Sequence, residues 1–188
     1  DIILVGETRD KETAQTAMEA ALTGHMVFTT LHANDTATAI TRLSEMGIPP
    51  YLVGSSVVGV LAQRLVRKVC PSCSTYRRVS PQRDQLAINY GIQRLKVARI
   101  EEIKENLSNQ KLCPICNGTG YKGRLGLYEV MKVTESIREL IINSSTADVI
   151  RESASQNGVK TLLEYGLELV KQELTTIEEV QRVCLFEE

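Results

Sequence analysis

Apolar residues change their period several times along this chain, and each change marks an element. Ile2-Ile3-Leu4-Val5 is an unbroken apolar run of the kind that fills a strand of a parallel sheet. Ala14, Ala17, Met18 and Ala21 then recur at helical spacing. With Asp10 at the N-cap position and Gly24 past the end, they predict a helix over 11–23. Met26-Val27-Phe28-Thr29-Thr30 reads as a second strand, which completes a βαβ unit and implies a parallel sheet covered on both faces. Asn34 or Asp35 caps a helix running to Met46, closed by Gly47 and Pro49-Pro50, and another helix is expected from about Tyr51 to Val69. Residues 74–112 are rich in charge, and their pattern predicts only one or two short helices. Gly118, Gly120, Gly123 and Gly126 punctuate a turn around the start of a strand over Leu125 to Val133. The remainder reads as helices near 134–143, 146–157, 160–173 and 176–185, the last opened by the capping box Thr176-Ile177-Glu178-Glu179.

A chain of 188 residues with 43% hydrophobic content can bury the core of one large domain or two small ones. Its longest nearly apolar stretch, Tyr51 to Ala62, is too short to span a bilayer, so membrane contact is expected to be peripheral only. The net charge of −1 hides an asymmetry. Residues 1–63 carry 3 basic and 7 acidic side chains, 64–124 carry 13 and 4, and 125–188 carry 6 and 12. The basic middle block reads either as a solvated face or as the place where an acidic partner docks. It has few aromatics and no basic-aromatic alternation for stacking bases, so no nucleic acid is expected.

Two cysteine pairs stand out, Cys70-Pro71-Ser72-Cys73 and Cys113-Pro114-Ile115-Cys116. Two thiolates separated by two residues close on one ion, and a second such knuckle completes the S₄ shell that Zn²⁺ prefers. The alternatives are buried packing thiols, which leave the identical spacing unexplained, and disulfides, which do not suit a chain with no secretory signal. Cys184 lies on an amphipathic helix and reads as ordinary packing.

Gly6-Glu7-Thr8-Arg9-Asp10 places charged groups just past the carboxyl end of the first strand, where parallel α/β sheets build their sites. A carboxylate there can position Mg²⁺ or polarise a water during phosphoryl transfer, although an acidic residue after a strand is more often a loop or cap. The two histidines, His25 and His32, bracket the second strand. His32 follows it and so shares the edge of Glu7; local backbone bonding is the competing explanation for either ring.

These segments resemble a known family. Ile3-Leu4-Val5-Gly6-Glu7-Thr8-Arg9-Asp10, Leu22-Thr23-Gly24-His25, Thr30-Leu31-His32-Ala33-Asn34-Asp35, Arg42-Leu43, Met46-Gly47 and Ala62-Gln63-Arg64-Leu65-Val66-Arg67 are similar to the C-terminal half of the secretion ATPases of type II secretion and type IV pilus assembly. Both cysteine pairs, Gly120-Tyr121-Lys122-Gly123-Arg124 and Glu178-Glu179-Val180 match as well. The resemblance implies an α/β fold: a partial RecA-like core with an inserted four-cysteine zinc module and a C-terminal helical domain. On this view the segments are 1–69, 70–124 and 125–188. It further implies a cytoplasmic homo-hexamer at the inner membrane, using ATP and Mg²⁺ and working with an inner-membrane platform protein. Gly6 and Glu7 would close the Walker B segment, with Glu7 orienting the attacking water. His25 and His32 would belong to the box that senses the γ-phosphate, supported by Arg9 and Arg42, while Cys70, Cys73, Cys113 and Cys116 would hold structural zinc. Family members usually carry isoleucine where this chain has Thr8.

No G-x-x-x-x-G-K-[ST] loop occurs in these residues. The resemblance therefore implies that the phosphate loop lies upstream of Asp1 and that this segment alone does not hydrolyse ATP. Two other readings compete. The Cys113-to-Gly120 knuckle fits a zinc-dependent chaperone-like binding module, and the βαβ core fits a RecA-like nucleic-acid motor. The first needs repeated knuckles and the second needs tight, salt-dependent DNA binding.

Overall fold

Asp10 takes the extended conformation at the head of the first helix and accepts from the Thr13 N–H at 2.8 Å, the local event that turns the chain out of its first strand. In the computed structural model, which describes residues 1–99 and 112–184, strand β1 (Ile2–Val5) leads into helix α1 (Lys11–Leu22) and strand β2 (Met26–Thr29). β1 and β2 pair in parallel, from Ile2 opposite Met26 to Val5 opposite Thr29. Gly24, at φ +97°, makes the return that a side chain would strain.

Internal contacts divide the chain into two units, Asp1–Ala62 with Glu129–Thr161 and Gln63–Tyr128 with Leu162–Glu188. In the first, Asp35 caps helix α2 (Thr36–Glu45) by accepting from Thr38 N–H at 2.7 Å. Gly47 at φ +85° and Pro49 end that run, and Pro50 opens helix α3 (Pro50–Ser56) at the position where a missing N–H costs nothing. A core of Ala14, Met18, Ile40, Val53, Met131 and Ile137 gathers these helices with α5 (Glu135–Ile142) and α6 (Ala147–Gln156). The sheet departs from expectation. Ile2, Leu4, Met26 and Phe28 form one face, 73%, 77%, 49% and 54% exposed, so the described residues do not cover it on both faces. Two strands and the crossover helix supply cover for one face only.

The second unit is built around strands β4 (Thr75–Arg78) and β5 (Arg94–Val97), antiparallel from Thr75 opposite Val97 to Arg78 opposite Arg94, with helix α4 (Gln85–Asn89) between them. Helices α7 (Leu162–Lys171) and α8 (Ile177–Cys184) share its core through Ala87, Ile92, Leu95, Leu167, Val170 and Val180, and Cys184 packs at its margin. The sequence pattern over 74–112 predicts the short helix but not this strand pair; the rest of that expectation, and the last residue of the expected 176–185 helix, lie outside the described residues.

The largest correction concerns residues 57–69. The helix expected from Tyr51 to Val69 stops at Ser56, and strand β3 (Gly59–Val69) follows, paired with β6 (Tyr121–Lys132). Bonds from Val133 N–H to Val58 O and from Cys70 N–H to Gly120 O make that pair antiparallel. Four valines between 57 and 66 favour a strand, and a partner sixty residues downstream decides it. Among the described residues, no helix is long and apolar enough to cross a membrane.

Candidate functional site

β1 and β2 end side by side, and their two following turns are stitched together. Thr8 N–H donates to Thr30 O at 2.9 Å, the Thr30 hydroxyl donates to Gly6 O at 2.7 Å, and the Thr8 and Thr29 hydroxyls meet at 2.8 Å. Thr8, where relatives usually carry isoleucine by the resemblance above, thus has a polar task in the turn. The stitching brings Glu7 to both of its sequence-predicted companions. Arg9 Nη2 reaches Glu7 Oε2 at 2.5 Å, and His32 Nε2 stands 2.8 Å from Glu7 Oε1. Arg9's guanidinium first, with the Coulomb field of His32 adding to it, holds the Glu7 carboxyl below the usual carboxylate range. Oε1 is screened from solvent, yet the His32 approach misses hydrogen-bond geometry and no donor among the described residues satisfies it. Such an oxygen suits a water's O–H or a hard cation.

The other predicted members stand elsewhere. His25 precedes β2, beside Asp1, at the opposite edge of the sheet from His32. Its Nδ1 lies 3.2 Å from Ala20 O and 3.2 Å from the Thr23 hydroxyl, so the ring closes the end of α1. Arg42 points along α2 to Glu45 at 3.1 Å. Neither meets Glu7 in this chain.

The cysteine knuckles do converge. Cys70 and Cys113 sulfurs are 3.9 Å apart, Cys73 and Cys116 are 3.5 Å apart, and all four lie within 4.8 Å of one another. A tetrahedron of sulfurs about 2.3 Å from a zinc ion has edges of about 3.8 Å, so the donor set and its size both fit Zn²⁺. Positive φ at Asn117, Gly118 and Gly120 folds the second knuckle back, letting the Gly120 N–H donate to Cys116 Sγ at 3.3 Å. Backbone N–H groups of Cys116 and Ile115 pull Cys113 down to about 6, while burial, followed by the neighbouring thiols, pushes Cys73 up.

Sequence reasoning reads Asp35 as a helix cap and Glu179 as part of a capping box, but misses Glu129 and the long-range partners that these polar residues take. Glu129 Oε1 accepts from Thr36 N–H at 2.9 Å and from the Thr36 hydroxyl at 2.5 Å, and Arg151 Nη2 reaches Asp35 at 2.8 Å. In the other unit, Glu179 accepts from Arg67 N–H, Arg67 Nη2 and both Arg182 Nε and Nη2, while Arg67 stacks on Tyr121 with 4.1 Å to the ring centre. Glu129 carries one available signal: it is the acidic residue in an alternation otherwise filled by Leu125, Leu127, Met131 and Val133.

A family model described as "Type II/IV secretion system protein" matches residues 1–182. The chain is 46% identical over 180 residues to the type IV pilus assembly ATPase PilB of Thermus thermophilus, covering 96% of this chain and 19% of that protein. It is 40% identical over 183 residues to the type II secretion system ATPase E of Vibrio cholerae, covering 97% and 34%. It therefore spans between about a fifth and a third of the length of these relatives. Among solved structures, the pilus retraction motor PilT with bound ADP aligns at TM-score 0.63 and 24% identity, over 99% of this chain and 40% of that one. The ATPase DotB of Yersinia pseudotuberculosis aligns at 0.60 and 20%, over 98% and 37%. These two likenesses show an α/β fold shared with secretion ATPases. With a family match over residues 1–182 and four tenths or more of the aligned positions shared with these two relatives, the chain belongs to the type II/IV secretion system protein family.

Proposed function

We propose that these residues form the C-terminal part of a nucleotide-hydrolysing motor that powers type IV pilus assembly or type II secretion. The single observation that carries the proposal is the unsatisfied Oε1 of Glu7 beside His32 at the carboxyl edge of a parallel strand pair. In this reading Oε1 accepts a proton-bearing O–H of the attacking water and aligns it with the terminal phosphoryl group. Arg9 keeps the carboxyl ionised and fixes its rotation, and His32 donates toward the phosphate or the water. His25 and Arg42 enter the proposal as members of the same box acting from outside the Glu7 pair, and Gly6 shapes the turn.

A carboxylate oxygen without a donor also fits Mg²⁺, which, when bound, would neutralise charge on the phosphates. The four sulfurs would hold zinc as a structural ion closing residues 70–116 into one module. The wider reading is a cytoplasmic homo-hexamer peripheral to the inner membrane, with an ATPase segment at 1–69, a zinc segment at 70–124 and a helical segment at 125–188. The phosphate loop lies upstream in that reading, so the 188 residues alone bind ATP weakly and do not hydrolyse it.

The test is steady-state ATP hydrolysis by the full-length protein. Glu7→Gln should lower kcat by about 100-fold with nucleotide binding retained, within the range for a lost general base. A variant hydrolysing ATP at the wild-type rate would remove Glu7 from the chemistry, and turnover by the 188-residue chain alone would remove the dependence on an upstream loop.

A further inference from the structure

The His32 side chain is 92% exposed, so no packing fixes its rotamer. What holds its imidazole against Glu7 is the backbone on either side. Upstream, the Thr30 bonds to Gly6 and Thr8 do this. Downstream, the chain enters α2 four residues later, and there Glu129 receives both donors of Thr36.

Three features set Glu129 apart from an ordinary helix cap. Asp35 already caps α2, so the helix does not need a second acid for its own formation. Glu129 arrives from β6, 93 residues along the chain, and it and Thr36 are 5% and 2% exposed. Burying a carboxyl is costly unless its bonds are made, and these are made to the first-turn N–H that lacks an intrahelical acceptor. The bonds locate the turn in space. We propose that Glu129 is a positioning residue that sets His32 against Glu7 by anchoring the first turn of α2 to β6, with Asp35–Arg151 as the second tie. The inference rests on the hydrolytic reading of Glu7 and His32.

The experiment uses the full-length protein and a double-mutant cycle between Glu129→Ala and His32→Ala. Glu129→Ala should lower kcat about tenfold or more while KM for ATP stays within about twofold, because misplacing a group by an ångström costs rate at that scale. Added to His32→Ala, it should cost nothing further. Glu129→Gln, which keeps an acceptor oxygen, should recover most of the rate. Hydrogen exchange of residues 31–38 should rise about tenfold or more in Glu129→Ala, with α1 unchanged. Multiplicative losses in the double variant, or unchanged exchange at 31–38, overturn the proposal. A wild-type protein that does not hydrolyse ATP, or a fully active His32→Ala, instead overturns the reading of Glu7 and His32; exchange at 31–38 then still decides whether Glu129 anchors the segment.

Discussion

Glu179 is a glutamate that four donors hold in its charged form. Its side chain is 2% exposed. Burial alone would raise its pKa, but hydrogen bonds from Arg67 and Arg182 outweigh that and bring it to about 2. An unfolded glutamate titrates near 4.3, so the unfolded chain binds this proton first as pH falls. The contribution is therefore complete above about pH 5 and is lost as pH drops toward 2. Asp84 follows the same rule, held at about 2 by Arg77 against burial. Glu179→Gln should cost about 2 kcal/mol at neutral pH, discounted from the full linkage value because Arg67 and Arg182 are 46% and 55% exposed and water screens them. It should also flatten the loss of stability between pH 5 and 2, leaving the share that belongs to Asp84 and to the other carboxyls held low, Glu7, Asp10, Asp35 and Glu173. Urea titrations across that range measure both effects; equal slopes for wild type and variant would deny Glu179 its charge-dependent role.

At the scale of elements, the helices after 134 and the βαβ unit are legible from spacing because their signals are local: a cap, an apolar stripe, a glycine past the end. β3 is not, because residues 57–69 carry both an apolar run and helix-compatible neighbours, and only β6 selects the strand. The capping box of α8 is half visible. Thr176 Oγ1 accepts from Glu179 N–H at 3.3 Å as the motif requires, but the Glu179 carboxyl goes to Arg67, 112 residues away. A similar long-range constraint acts on Gly166 in α7. A Cβ there would stand 2.5 Å from Val180 Cγ1 and 3.4 Å from Leu127. Alanine favours a helix over glycine by about 1 kcal/mol, yet overpacking a well-filled contact costs about 1–3 kcal/mol. Gly166→Ala should therefore lower the midpoint of thermal unfolding by several degrees for a chain of this size, readable by circular dichroism. A raised midpoint would mean that Val180 moves aside freely.

For the whole chain, the charge blocks find each other. Arg67, Arg77 and Arg94 from the basic middle block pair with Glu179, Glu178 and Glu173 from the acidic last block. The asymmetry that suggested an outside partner is thus partly spent inside one unit, a fact invisible to a count along the sequence. The cysteine cluster, in contrast, was legible almost completely, because ligand spacing is itself the chemistry. It joins the end of β3 to the start of β6, since Cys70 N–H bonds to Gly120 O beside the sulfurs. A zinc ion there would tie two segments 43 residues apart, and its binding energy would be folding energy for the knuckles it joins. Purified protein should carry about one zinc per chain. Removing it with a chelator, or replacing Cys113 with serine, should raise hydrogen exchange across 70–78 and 113–121 while β1, α1 and β2 keep their protection. If β1 and β2 lose protection as early as the knuckles do, the metal supports the entire chain rather than one module; if neither loses any, the four thiols pack without an ion.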